Sequence, residues 1–152
     1  MIRIAAAPLL LLLLACGERK QSEWGRATFH PAHRIELASE SALAEWVKAH
    51  AAGDVQSVWI SPVKASVRLD SLAQLKGLRA LTLSGFADQT PTPKGGTFVF
   101  PAALSDTQVA DLARVSTLRA IALWYVSFTN EQRERLRKEL PDCEFLENLN
   151  KM

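Results

Sequence analysis

Cysteine is nearly absent from this 152-residue chain: Cys16 and Cys143 are the whole complement, so no disulfide framework can stand in for a hydrophobic core. Charge of one sign is not in excess either. With 18 basic and 16 acidic residues the formal net charge is +2, which leaves no basic footprint for nucleic acid. No apolar run reaches the roughly 20 residues that a membrane-spanning helix needs. The catalytic spellings G-x-S-x-G, H-E-x-x-H and paired Cys-x-x-Cys are missing, so an enzyme has no visible nucleophile, base or metal to build on. Ser61-Pro62-Val63-Lys64 matches S-x-x-K by spelling only, without the S-D-N or K-T-G that accompanies that chemistry. Thr92-Pro93-Lys94-Gly95-Gly96 lacks the spacing of a phosphate loop. His30 and His33 are two potential ligands without a third nearby, and His50 lies beside the apolar face of its own helix, where a hydrogen-bonded boundary residue is the default. No cofactor and no metal are expected.

What is present is an ordinary globular mixture, 48% hydrophobic and 22% charged, of a length suited to one domain. Met1 to Ala15 (MIRIAAAPLLLLLLA) places one basic residue, Arg3, before a short apolar run and reads as an export signal. It ends in Leu13-Leu14-Ala15-Cys16, followed by Gly17 and the polar run Glu18 to Glu23. This resembles the lipobox of bacterial lipoproteins, in which a cysteine after a small residue takes a diacylglyceryl thioether and becomes the new N-terminus. The resemblance implies residues 1–15 as signal peptide, Cys16 as the lipidated, palmitate-type anchor, and 16–28 as a flexible tether. In the Gram-negative pattern, Gly17 rather than Asp at the second mature position implies the outer membrane, with the domain facing the periplasm. Cys143 is then the remaining thiol, expected inside a strand and outside any intramolecular disulfide. Trp24, alone in the polar segment, either packs back on the domain or meets the lipid interface.

Residues 29–149 read as a single domain. His33 to Ala38 alternates polar and apolar residues as a half-buried strand does, and Ser39-Glu40-Ser41 supplies N-cap chemistry for a helix from Ser41 to Ala52, with Gly53 placed for a left-handed C-terminal cap. Val55 to Ile60 alternates again. The stretch Leu72 to Ser84 (LAQLKGLRALTLS) is then echoed by Leu112 to Trp124 (LARVSTLRAIALW), with the shared skeleton L-x-x-(L/V)-x-x-L-R-A-(L/I)-x-L. Val55, Val58 and Ile60 correspond to Leu78, Leu81 and Leu83 at an offset of 23, and these to Leu118, Ile121 and Leu123 at an offset of 40. Cys143 and Phe145, 22 residues after Ile121 and Leu123, suggest a fourth copy. Helical signals fill the returns at Asp70 to Leu75, Ser105 to Val115 and Thr129 to Leu140. The last two open on the capping-box spacings Ser105-x-x-Gln108 and Thr129-x-x-Gln132. Glu131 with Arg135 and Glu134 with Lys138 are i, i+4 pairs on the last of them.

From Val55 to Phe145 this pattern resembles the leucine-rich repeat. The resemblance implies an α/β fold: a short solenoid of about four parallel strands with helical returns, an N-terminal strand-helix cap and an inserted hairpin. Two departures stand out. Val63, Phe86 and Val126 occupy the positions where the family has a buried asparagine, and 17 extra residues separate the second and third units. That insertion, at 85–101, carries a cluster of turn residues and reads as a projecting hairpin. A compact α/β or α+β domain built of βα units is the alternative.

In a leucine-rich solenoid the residues between the strand leucines form the concave face. Here they are Ser57, Trp59 and Ser61, then Ala80, Thr82 and Ser84, then Ala120, Ala122 and Trp124, with Asp142, Glu144 and Leu146 last. Two tryptophans flank a floor of small residues, a shape suited to an extended peptide or a glycan, with a protein or peptide the expected partner. The expected binding residues are Trp59, Thr82, Ser84, Ala122 and Trp124, with Lys94 at the hairpin tip. Burial of both tryptophans under the N-terminal strand or the hairpin is the competing expectation. The functional expectation is a non-enzymatic binding or scaffold module of the cell envelope, held to the membrane by lipid and free of nucleic acid. A small envelope enzyme or enzyme inhibitor, with a pocket where the hairpin meets His30, His33 or His50, is the second.

Overall fold

A computed structural model describes residues 22–37, 39–85 and 102–147. The chain runs α1 (Glu23–Phe29), β1 (His33–Glu36), α2 (Ala42–His50), β2 (Ser57–Ser61), a 3-10 helix (Asp70–Gln74), β3 (Ala80–Ser84), β4 (Ala102–Ala103), α3 (Asp106–Ala113), β5 (Ala120–Trp124), β6 (Val126–Ser127), α4 (Asn130–Glu139) and β7 (Glu144–Leu146). Five strands form one open parallel sheet in the order β1-β2-β3-β5-β7, and β4 pairs with β6 in a two-stranded parallel sheet. The fold is thus mixed α/β. Among the described residues no helix is long and apolar enough to cross a membrane.

The register follows the internal repeat. Val58 pairs with Leu81 and Ile60 with Leu83, at the offset of 23, and Leu81 pairs with Ile121 and Leu83 with Leu123, at the offset of 40. The fourth strand is shifted by two residues from the sequence alignment, because Ile121 pairs with Phe145 rather than with Cys143. A shift of two preserves the face on which every side chain lies, so the apolar pattern alone could not detect it. Glu144 therefore stands beside Ala120 and Leu146 beside Ala122.

Strand side chains alternate between two faces. Ile35, Val58, Ile60, Leu81, Leu83, Ile121 and Leu123 point to the face carrying α2, the 3-10 helix, α3 and α4, and join Leu43, Val47, Leu72, Leu112 and Leu136 in one hydrophobic core. The opposite face carries α1, which packs against β2, β3 and β5. β3 is consequently buried at all five positions and β5 at the first four, as expected for central strands covered on both sides.

The two copies of the repeated stretch close by the same turn. Leu75 N donates to Leu72 O and Leu78 N to Leu75 O, and Val115 N and Leu118 N donate in the same way to Leu112 O and Val115 O. The arginine of the repeated L-R-A has a matching role in both copies. Arg79 Nη1 reaches the carbonyls of Lys76 and Leu78, and Arg119 Nη1 those of Ser116 and Leu118.

Glutamines on the returning helices tie neighbouring units together. Both capping boxes form: Ser105 accepts from Gln108 N while Gln108 Oε1 accepts from Ser105 N, and Thr129 and Gln132 do the same. The free end of each amide then crosses to the preceding unit. Gln108 Nε2 donates to Lys64 O at 2.7 Å and Val67 O at 2.9 Å, and Gln132 Nε2 to Leu104 O at 3.1 Å and Asp106 Oδ1 at 2.8 Å. Asp111, 1% exposed, adds a third clasp by accepting from Leu69 N and, through both oxygens, from Arg68. Val63 is buried as expected, whereas Val126 is half-buried in β6.

Several local expectations differ from what forms. Ser41 makes no side-chain cap bond and has helical angles itself (φ −83°, ψ −16°), so α2 begins without its serine cap. Gly53 does not adopt the left-handed conformation; the helix ends in right-handed angles at Ala51, with Gly53 N donating to His50 O. The expected i, i+4 pairs on α4 give way to Arg137 with Glu134 at 3.2 Å and Arg133 with Glu147 at 2.7 Å, since β7 brings Glu147 within reach of the helix. The end of the expected tether, up to Thr28, instead forms most of helix α1, because Ser22 caps it by accepting from Gly25 N and the sheet offers it a surface. The insertion expected as a hairpin lies outside the described residues except for Gly85. That glycine is required where it stands: a Cβ there would come within 2.2 Å of Tyr125 O.

Two stability predictions follow from the inter-unit clasps. Gln108→Ala removes one capping bond and leaves Lys64 O and Val67 O without their partner, and is expected to lower unfolding free energy by about 2 kcal/mol in urea titration. For Asp111, the hydrogen bonds from Arg68 outweigh the burial that opposes ionisation and hold its carboxyl below the usual carboxylate range. A lowered folded pKa contributes stability above the ordinary carboxylate range and loses it as pH falls through the folded value. Asp111→Asn is therefore expected to cost about 2 kcal/mol at neutral pH, with the gap from the parent narrowing in melts as pH falls below the ordinary aspartate value of about 4.

Candidate functional site

The residues expected to form the binding face do share one face, and the register explains how. Ser57, Ala80, Ala120 and Glu144 form one row across the sheet, and Arg34, Trp59, Thr82, Ala122 and Leu146 the next. Ser84 and Trp124 stand side by side one step further on. The tryptophans close over the small residues between them, with ring centroids 5.6 Å apart. The Arg34 guanidinium lies 4.9 Å from the centre of the Trp59 ring, a separation suited to a cation–π contact.

The floor is not open. Thr82, Ser84 and Ala122 are 0% exposed, and α1 packs on the strands that carry them. Gly25 and Thr28 are the fully buried residues of that helix; a glycine lets the helix backbone approach the sheet closely. The Thr82 hydroxyl donates to Thr28 O at 2.7 Å, and Phe29 meets Trp124 edge to face at 6.2 Å. Ser22 Oγ, besides capping α1, donates to Glu144 Oε2. Just beyond the helix, Ala32 N donates to Ser57 Oγ at 2.8 Å. The small side chains that read as the floor of a groove are thus also the seat of the chain's own helix. Trp59 and Trp124 remain half-buried at its margin. Trp124 Nε1 is buried without a hydrogen-bond partner among the described residues.

At the margin the chain also has its one left-handed non-glycine residue among those described, Tyr125 (φ 52°). Its carbonyl accepts from Ala102 N, and the adjacent Trp124 carbonyl accepts from Gly85 N. Both roots of the insertion are therefore tied beside Trp124. Lys94, within the insertion, and Cys16 lie outside the described residues.

The histidines assemble differently from their spacing in sequence. His30 is exposed, while His33 and His50 meet at 5.9 Å between ring centroids, with Trp46 stacked on His50 at 4.0 Å. The His50 Nδ1 lies 2.7 Å from Trp46 O, the boundary arrangement expected for this residue. No group of three or more His, Cys, Asp or Glu residues able to hold a metal occurs among the described residues. His33 sits beside Val58 and, through it, in line with Leu81, whereas Gly85, the described root of the insertion, follows Ser84 at the other end of β3. Cys143 is half-buried, and burial pushes its thiol up to about 12. On the helical face an open cleft of about 400 Å³ lies between α3 and α4, lined by Asp106, Val109, Thr129, Glu131, Gln132 and Arg135.

The α1 seat was hidden in the sequence by its brevity. A glycine and a threonine three residues apart are too weak a signal to mark a buried helix face. The capping serine, three residues before the glycine, was the one local clue.

Thr82→Val preserves shape and removes the bond to Thr28. It is expected to cost about 1 kcal/mol in urea unfolding, with unchanged far-ultraviolet circular dichroism.

Comparison with known protein families, with curated proteins and with solved structures gives no match to this chain.

Proposed function

We propose that the protein is a lipid-anchored bacterial envelope lipoprotein whose short leucine-rich-repeat-like solenoid serves as a non-enzymatic module for binding a protein or peptide. The observation that carries the binding reading is the pair Trp59 and Trp124. Both are half-buried in mutual contact at the margin of an otherwise covered sheet face, one under a guanidinium and the other with an indole nitrogen unpartnered among the described residues. Tryptophan contributes large contact area at a small entropy cost, which favours it at interfaces. The solenoid reading draws on the equal turns of the repeated units, on the sequential strand order and on the glutamine clasps.

The anchor reading draws on Leu13-Leu14-Ala15-Cys16-Gly17 and has a mechanical consequence. Six residue steps separate Cys16 from Ser22, so a fully extended chain holds the start of α1 within about 20 Å of the lipid. The binding face would then be presented close to the bilayer, on the periplasmic side of the outer membrane in a Gram-negative envelope.

Two readouts test this on the full chain expressed in a bacterium. The mature protein is expected to begin at an acylated Cys16, by mass spectrometry, and Cys16→Ser to leave it unlipidated; a mature chain that retains residues 1–15 or carries free Cys16 overturns the anchor. A photo-crosslinking amino acid at position 59 or 124 is expected to give a discrete protein adduct in the envelope, whereas one at position 134 on the outer helix gives none. Absence of adducts from both tryptophan positions overturns the binding reading.

A further inference from the structure

We propose that α1 is a detachable strap: it opens locally while the rest of the domain stays folded, and it thereby regulates access to the sheet face beneath it. This rests on the reading of that face as a binding surface, but the strap itself stands on the following geometry.

Seven residues are too few for a helix to persist in water, where about 12 to 15 are marginal. The helix therefore depends on its seat, and the seat holds it lightly. No residue of α1 belongs to the hydrophobic core or packs against it among the described residues. The fully buried members of α1, Gly25 and Thr28, bring almost no apolar side chain. What holds the helix is the bond from Thr82 to Thr28 O, the contact of Ser22 with Glu144, the edge of Phe29 against Trp124 and the half-burial of Trp24 and Ala27. Such a segment sits at the low end of the range of local opening.

The floor is equally suited to exposure. Ser57, Thr82 and Ser84 supply hydroxyls that water can solvate, and Ala80, Ala120 and Ala122 present little apolar surface. The large aliphatic residues of β2, β3 and β5 lie on the other face, under the remaining helices, so opening α1 leaves the core closed. The seated state also leaves Trp124 Nε1 without a partner among the described residues. A ligand that displaced α1 and offered an acceptor there would satisfy a donor that the strap does not. Opening joins Thr82, Ser84 and Ala122 to Trp59 and Trp124 as one surface; closing reduces the accessible part to the tryptophan margin. Because α1 is the first described element after Cys16, a lipid anchor would make its seating sensitive to the position of the domain relative to the bilayer.

Native-state hydrogen exchange on the mature protein tests the strap directly. The amides of Arg26 to Phe29 are expected to exchange about a hundred-fold faster than those of Leu81 and Leu83. Equal protection in the two segments overturns the proposal. Phe29→Ala, which removes the ring against Trp124 and touches none of the residues assigned to the binding surface except that one, is expected to speed α1 exchange selectively by about ten-fold. It is also expected to raise the yield of the adduct formed from position 59. A yield that is unchanged or lower while α1 exchanges faster overturns the regulatory role. Fast α1 exchange with no adduct in either protein keeps the strap and refutes the binding reading instead.

Discussion

Every neighbouring pair of strands in the main sheet is parallel, and that single constraint organises the rest of the molecule. Parallel strands cannot be joined by a tight turn, so each must be followed by a return across one face. The returns all cover the same face, where the leucines, isoleucines and valines of the strands gather with α2, the 3-10 helix, α3 and α4. The other face is left to whatever the chain can bring to it. It brings α1, and the residues there are small enough to receive a helix at close range.

Stacking such units leaves loop carbonyls and amides at every junction, and a buried junction must satisfy them. In this chain the work is divided among three side chains on the returning helices. Gln108 and Gln132 each cap their own helix with the amide oxygen and reach the previous unit with the amide nitrogen. One side chain thus starts a helix and fixes its position on its neighbour. Asp111 binds Leu69 N and Arg68 together, replacing a neutral bond by a charge-assisted one. An asparagine in the strand-to-return corner would perform a similar task from the other side of the junction. With Val63 in one such corner, the glutamines must supply from the helix what the corner does not.

The sheet face under α1 has two physical characters that are usually separate. Its floor has the small and hydroxylated side chains of a packing seat, and its margin has the paired tryptophans of a contact surface. A helix of seven residues, held outside the core by a few polar bonds, one ring contact and the half-burial of Trp24 and Ala27, is a cover whose removal leaves the core intact. Under the proposed function, binding and local stability are coupled: the weaker the hold of α1, the more of the face a partner would reach.

Much of the scaffold was legible in the sequence because its signals are periodic and local. The apolar spacing of Val58, Leu81 and Ile121 sets which residues stack, and the capping boxes at Ser105 and Thr129 set where two helices begin. Those features depend on neighbours within a few residues, or on a period that repetition reinforces. The rest depended on groups far apart in the chain. A two-residue slip of β7 conserves the alternation, so only backbone pairing with β5 could choose it. Gln108 was readable as a cap but not as a clasp, since Lys64 and Val67 reach it only after the units stack. The tryptophan pair was legible as two aromatic positions on one face, with cover by the N-terminal strand or the insertion as the competing expectation; that helix α1 contributes to the cover was not. A seven-residue helix carries no stable preference of its own, and α1 forms only where Thr82, Glu144 and Trp124 converge to hold it. The sequence by itself determined the repeating core, and tertiary structure decided what lies across its other face, because that helix exists only in contact with it.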